Sequence, residues 1–254
     1  MRAVQFIKHP NVLKIVDSDL STDRPYFIAE YCKKGSLQNV GAAAYRGSMS
    51  ATLAVVLPIL DALVAAHKAK VFHRDVKPRN ILFREDGSPV IGDFGICFKE
   101  GEEHFTLSNE GMGPVNFIAP QMESGQRRLG GPTNSTDVYS LGKVIYWMLS
   151  GGKVFAREDF PSLVDLLKDQ RFLHVHRLLE QMVVRDPAKR IQSHEVKEKL
   201  EMTASLVEGN FAPLGPSIGI RSRGWRKHWF VCMRPTNTGN VSVTAPYPWP
   251  VLAS

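Results

Sequence analysis

The sequence predicts an α+β protein in which a few short strands come first and helices dominate afterwards. Two observations carry that prediction. Near the start, the apolar clusters Val12-Leu13, Ile15-Val16 and Tyr26–Ala29 flank a polar turn, Ser18 to Pro25, as hairpin strands do. From residue 50 onward, apolar residues recur at three- and four-residue spacing in separate runs, the signature of amphipathic helices.

The elements follow in order. Val12, Leu13, Ile15 and Val16 read as a first strand and Tyr26 to Ala29 as a second, which Lys33-Lys34-Gly35-Ser36 breaks. A helix follows over roughly Ser50 to Lys70, where Leu53, Val56, Leu57, Leu60, Leu63, Val64 and His67 form one stripe. Pro58 lies inside it and should kink it locally. Short extended pieces are expected at Val71-Phe72, Ile81–Phe83 and Val90-Ile91. Residues 96–135 are rich in glycine and charge and read as a long loop. Helical spacing resumes over Thr136 to Ser150, with Thr136 as N-cap. Two further helices are expected near 171–184 and 193–202. After Met202 the periodicity stops, and the proline- and glycine-rich stretch Asn210 to Ser254 reads as a mostly irregular tail.

Composition narrows the classes. With 254 residues, 43% hydrophobic and 22% charged, the chain has globular composition and can bury a core unaided. Its three cysteines, Cys32, Cys97 and Cys232, are far apart and form neither a disulfide framework nor a metal knuckle. A reducing compartment, the cytoplasm, is therefore expected. The run Ala51 to Ala66 is broken by Pro58 and Asp61, so no membrane span is expected. The opening MRAVQFIKHP has no apolar stretch behind its basic residue, and no signal peptide is expected. The net charge is +7, but Arg221, Arg223, Arg226, Lys227 and Arg234 stand against Glu208 alone after residue 202. The basic excess is thus largely a tail property, and nucleic acid is not the expected partner.

The chemistry-bearing residues lie between 73 and 95. His73-Arg74-Asp75-Val76-Lys77-Pro78-Arg79-Asn80 is followed, eighteen residues after Asp75, by Asp93-Phe94-Gly95. A turn that merely favours Asp and Asn accounts for one such residue, not for several in register. The paired motifs resemble the catalytic loop and metal-binding motif of eukaryotic-type protein kinases of the serine/threonine kind, over about residues 4–200.

The resemblance implies a mostly helical kinase large lobe with a remnant of the small β lobe. Residues 1–32 would be small-lobe remnant and hinge, 33–202 the large lobe, and 203–254 a basic tail. It implies ATP and Mg²⁺ as cofactors and a protein substrate as partner. Phosphoryl transfer asks chiefly for positioning and charge compensation. Asp75 would accept the substrate hydroxyl proton, Lys77 would meet the charge of the transferring group, and Asn80 and Asp93 would be the metal ligands. The backbone around Glu30 and Cys32 would hold adenine, Ala29 would be a small gatekeeper and Leu82 the pocket floor. Ile15, His73 and Phe94 would stack in a hydrophobic column. Taken singly, each of these is ordinary core. Asp137 would tie down the catalytic loop, Arg190 would be the late structural Arg, and Arg74 would meet a phosphate on the activation loop, with Thr106 and Ser108 as candidate sites. Glutamates at 100, 102, 103 and 110 could stand in for that phosphate.

Several positions depart from the family pattern. No Gly-rich loop, strand Lys or helix Glu is found, so the chain reads as incomplete at the small lobe and poor in activity as it stands. Ala119-Pro120-Gln121 stands where Ala-Pro-Glu is usual, which should weaken the pair with Arg190; Glu123 could substitute. Pro114 is like tyrosine kinases, whereas Lys77-Pro78 is like serine/threonine kinases and weighs more because Lys77 touches the chemistry. Two other readings remain: an inactive truncated kinase or pseudokinase serving as an interaction module, and a small-molecule phosphotransferase of the aminoglycoside or choline type. The tail segment Arg221 to Phe230 interleaves basic and aromatic residues, and a solvated or self-docked tail is preferred there over nucleic-acid binding.

Overall fold

The computed structural model describes residues 7–19, 24, 26–94, 117–122, 133–155, 170–208, 232–235 and 241–242. The two apolar clusters form a hairpin, β1 (Ile15–Asp19) and β2 (Tyr26–Ala29), paired antiparallel with Ser18 opposite Phe27. Val12 and Leu13 lie before β1. They run beside a later strand, β4 (Pro89–Ile91), where Leu13 N–H donates to Ile91 O at 2.9 Å and Ile91 N–H to Asn11 O at 2.8 Å. A second hairpin joins β3 (Ile81–Phe83) to β4 (Pro89–Ile91), with Leu82 opposite Val90. Val71-Phe72, expected as extended, pairs with no strand.

Between the hairpins come a short helix, α1 (Leu37–Val40), capped by Ser36, and the long helix α2 (Met49–Lys68). Helix α2 runs through Pro58 and buries Leu53, Val56, Ile59, Leu60 and Leu63. It is long and apolar enough to cross a membrane by length and composition alone. In this fold that apolar face packs on two later helices, α3 (Asn134–Ser150) and α5 (Ser193–Glu208). Asp61, the polar interruption in its sequence, is accounted for: it pairs with Lys197 and, at 3.2 Å, with His9.

Helix α3 (Asn134–Ser150) is buried from Ser135 to Ser150, so it is a core helix rather than an amphipathic surface one. Its N-cap is Thr133. Thr136, expected in that role, sits in the first turn, and its hydroxyl accepts the Thr133 N–H at 3.1 Å. Gly142 lets α4 approach: a Cβ there would stand 3.0 Å from Met182 Cβ and from Val183 Cγ2. Lys143 is only 3% exposed, its ammonium 4.6 Å from the Phe155 ring centroid.

Helices α4 (Gln170–Met182) and α5 (Ser193–Glu208) complete the helical layer. Helix α5 continues six residues beyond the expected end, because an established helix gains a backbone hydrogen bond with each residue added even where the apolar stripe has lapsed. The tail is not wholly irregular. Strand β5 (Cys232–Pro235) pairs antiparallel with β2, Phe27 opposite Met233, and β6 (Val241–Ser242) pairs with β5. The outer edge of β2 offers unpaired backbone groups, which a strand of any apolar or basic sequence can satisfy.

Candidate functional site

The site forms where α2 ends and the second hairpin begins. From Lys70 the chain turns back along the core, and residues 73–80 form a loop closed by a 3-10 turn, Pro78–Asn80. Arg74 adopts φ 70° and Asp93 φ 62°, left-handed conformations that non-glycine residues hold only when surrounding bonds impose them.

Those bonds are identifiable. Asp137 at the start of α3 is fully buried; its Oδ2 accepts the His73 N–H at 2.9 Å and its Oδ1 the Arg74 N–H at 2.7 Å. Two backbone donors and a carboxylate thus satisfy one another out of water. His73 Nε2–H donates to Gly92 O at 2.7 Å, and the Asp75 N–H donates to His73 Nδ1 at 3.2 Å, so one imidazole links the loop to the residue before Asp93. The His73 ring lies 4.6 Å from that of Phe94. Ile15 packs against the smaller core cluster of Leu13, Phe27, Ala29, Cys32 and Val90, whereas Phe94 belongs to the larger one.

Asp75, Lys77, Asn80 and Asp93 come together as their spacing suggests. Lys77 Nζ lies 2.7 Å from Asp75 Oδ2, and Asn80 Nδ2 donates to Asp75 O at 2.8 Å and to Asp75 Oδ2 at 3.0 Å. Asn80 is held by its own backbone, which donates to Lys77 O and accepts from Gly92 N–H. Asp75 remains 40% exposed. Burial, and then the neighbouring Asp75 carboxylate, push the Asp93 carboxyl above its ordinary range; His73, Lys77 and Arg79 oppose the rise. A carboxylate so placed lacks sufficient positive charge, which a divalent cation supplies. The donors are all oxygens: Asp93, and Asn80 Oδ1, which accepts no hydrogen bond among the described residues. No group of three His, Cys, Asp or Glu side chains forms a metal cage among the described residues. That donor set fits Mg²⁺, which keeps waters and phosphate oxygens among its ligands.

The segment expected as a hinge follows β2. Glu30 N–H donates to Lys14 O at 2.9 Å. Its carboxylate is gripped by Arg84 at 2.9 and 2.6 Å and accepts the Lys14 N–H at 2.9 Å. Burial raises the Glu30 carboxyl, but Arg84 and Lys14 more than offset it and hold it below its ordinary value. Cys32 is buried, and burial pushes its thiol up to about 11. Leu82, half-buried, packs beside Leu13 and Val90.

Arg190 is buried and lies 4.9 Å from the Tyr139 ring centroid. It donates to Ser135 O at 2.7 Å, to Val184 O at 2.9 Å and, through two nitrogens, to Gln121 Oε1 at 3.4 Å. Gln121 therefore keeps the expected partner at long distance, while carbonyls hold the guanidinium. Gly95, Thr106, Ser108, Pro114 and Glu123 lie outside the described residues.

Sequence reasoning missed three participants. His67, read as part of an apolar stripe, bonds Asp137 Oδ2 at 2.7 Å, and Ser193 bonds His67 at 3.0 Å. Arg84 carries the Glu30 clamp. A histidine on an apolar stripe is a faint signal of a buried hydrogen bond; Ser193 and Arg84 leave none.

Comparison with known proteins agrees with this geometry. Serine/threonine-protein kinase PknL of Mycobacterium tuberculosis is 31% identical over 164 residues, 64% of this chain and 40% of that protein. A carbon catabolite-derepressing protein kinase of Secale cereale is 27% identical over 197 residues, 75% of this chain and 38% of that protein. Serine/threonine protein kinase OSK3 of Oryza sativa is 27% identical over 205 residues, 78% and 39% respectively. The chain spans about two fifths of the length of these relatives. Residues 1–201 match the protein kinase domain, and with the loop of Asp75 and the turn of Asp93 built as described, the chain belongs to the protein kinase family.

Proposed function

We propose that this chain transfers the γ-phosphoryl group of ATP to serine or threonine hydroxyls of a protein substrate, with Mg²⁺. The observation that carries this reading is the gathering of Asp75, Lys77, Asn80 and Asp93 around one loop, with Lys77 Nζ 2.7 Å from Asp75. Asp75 accepts the proton of the attacking hydroxyl. Lys77, already beside that carboxylate, meets the negative charge of the transferring group. Asn80 and Asp93 hold Mg²⁺, which neutralises phosphate charge. The backbone at Glu30 and Cys32, with Leu82 beneath, receives adenine. Lys77-Pro78 favours serine and threonine over tyrosine. We place the activity in the cytoplasm, where a thiol such as Cys32 stays reduced.

Calorimetric titration of the folded chain with ATP·Mg²⁺, with Asp93→Ala as control, tests the nucleotide site. Micromolar binding lost in the variant supports it, and Ser/Thr and Tyr peptides, an aminoglycoside and choline then identify the acceptor. Absence of binding by the folded chain defeats the reading in favour of an interaction module, and transfer to a small alcohol alone defeats the protein substrate.

A further inference from the structure

His67, Asp137 and Ser193 meet from three helices, α2, α3 and α5. Ser193 Oγ lies 3.0 Å from His67 Nδ1, and His67 Nε2 lies 2.7 Å from Asp137 Oδ2. All three are buried, Ser193 at 4%, His67 at 9% and Asp137 at 0% exposure. Asp137 in turn holds the His73 and Arg74 amides of the catalytic loop.

Hydrogen-bond capacity sets the direction of the first link. Asp137 Oδ2 is an acceptor, so His67 Nε2 carries a proton. Were Nδ1 protonated too, Ser193 Oγ would have to accept from it, and the serine's own proton would face the interior unmet. Ser193 Oγ makes no other hydrogen bond among the described residues. A buried unmet donor is costly, so the arrangement that satisfies every group has Ser193 donating to a bare Nδ1.

We infer that Ser193 is a positioning residue for the catalytic loop. It donates to His67 Nδ1, holds the ring in its Nε2–H form, and so aims the proton that steadies Asp137 against the His73 and Arg74 amides. The same three residue types serve nucleophilic catalysis when the serine is open to substrate. Here the serine is enclosed and both Asp137 oxygens are bound to the loop, so the relay orients rather than reacts. That the loop so held is catalytic rests on the proposed phosphoryl transfer; the relay itself does not.

The test uses the full chain labelled with ¹⁵N-histidine. Nitrogen–proton correlation spectra should show His67 Nε2 protonated and Nδ1 bare. A protonated Nδ1 in the unaltered protein overturns the inference, whatever any variant does. In Ser193→Ala, amide exchange at His73 and Arg74 should accelerate roughly 3- to 10-fold, the size expected for one lost hydrogen bond. Ser193→Thr should restore it, while amides deep in α2 keep their protection. Unchanged exchange at His73 and Arg74, or acceleration spread over the whole chain, also overturns it. These readouts need no nucleotide, so failure to bind ATP defeats the proposed function alone.

Discussion

Asp137 Oδ1 accepts the backbone N–H of Arg74 at 2.7 Å, and this bond holds Arg74 in a left-handed turn at φ 70°. A helix start thereby dictates the path of a loop 63 residues earlier in the chain. Asp137→Asn leaves one acceptor for three donors. It should cost about 1–3 kcal/mol of stability, read as a lower urea midpoint. Arg74→Gly should be about 0.5–1 kcal/mol more stable than Arg74→Ala, since glycine takes that φ without steric cost.

Asp75 is the exposed member of the carboxylate pair, and among the described residues its side chain bonds only Lys77 and Asn80. Asp75→Asn should keep the fold and lower kcat about 10²- to 10⁴-fold on a Ser/Thr peptide, the usual span for loss of a general base. An unchanged thermal midpoint alongside the rate loss separates chemistry from misfolding.

Asp93 should show the opposite balance. Its carboxyl is raised above the ordinary 3.8 by burial and by Asp75. A raised folded value means the stability associated with the protonated group is present below 3.8 and lost as pH rises through the raised value. At neutral pH and without Mg²⁺ the ionised carboxylate works against the fold. Asp93→Asn should therefore raise the urea midpoint at pH 7 while abolishing binding of ATP·Mg²⁺. A lower midpoint refutes the assignment of strain to this carboxylate.

The Glu30–Arg84 clamp acts in the other pH direction. Glu30 is held below its ordinary 4.5, so its contribution is present above 4.5 and lost as pH falls through the depressed folded value. Glu30→Gln should flatten the acid limb of a stability-against-pH curve below 4.5 relative to the unaltered chain. Because Arg84 also donates to Pro10 O at 2.7 Å, the variant should loosen the segment entering β1 as well, visible as faster amide exchange there.

Cys32 is enclosed and its thiol raised to about 11. The thiolate is the reactive form, so Cys32 should resist iodoacetamide at pH 8 in the folded chain and react once urea unfolds it. Peptide mapping by mass spectrometry reads this residue separately from Cys97 and Cys232. Rapid labelling of Cys32 in the native chain argues against the buried hinge.

The elements legible in the sequence were those with a local period or a fixed spacing. The stripe of α2, the run of α3 and strands β2, β3 and β4 appear within a residue or two of their expected places, whereas β1 starts three residues later than the apolar cluster from Val12 and takes in Ser18 and Asp19 of the expected turn. What went astray did so for identifiable reasons. Thr133 displaced Thr136 as N-cap because the capping hydroxyl and the residue it serves are both threonines, and only backbone geometry separates them. Helix α5 outran its apolar stripe. Strand β5 became a strand through the open edge of β2, not through any alternation of its own.

By itself, the order of residues determined which polar side chains gather: Asp75, Lys77, Asn80 and Asp93 are set at spacings that a short loop and a hairpin convert directly into proximity. Tertiary structure alone decided what holds that site. His67 and Ser193 are 126 positions apart, and Glu30 and Arg84 are 54 apart. The reason is physical. Periodicity records which face of one element is apolar, whereas a buried polar group is satisfied by whichever donor or acceptor another element brings beside it.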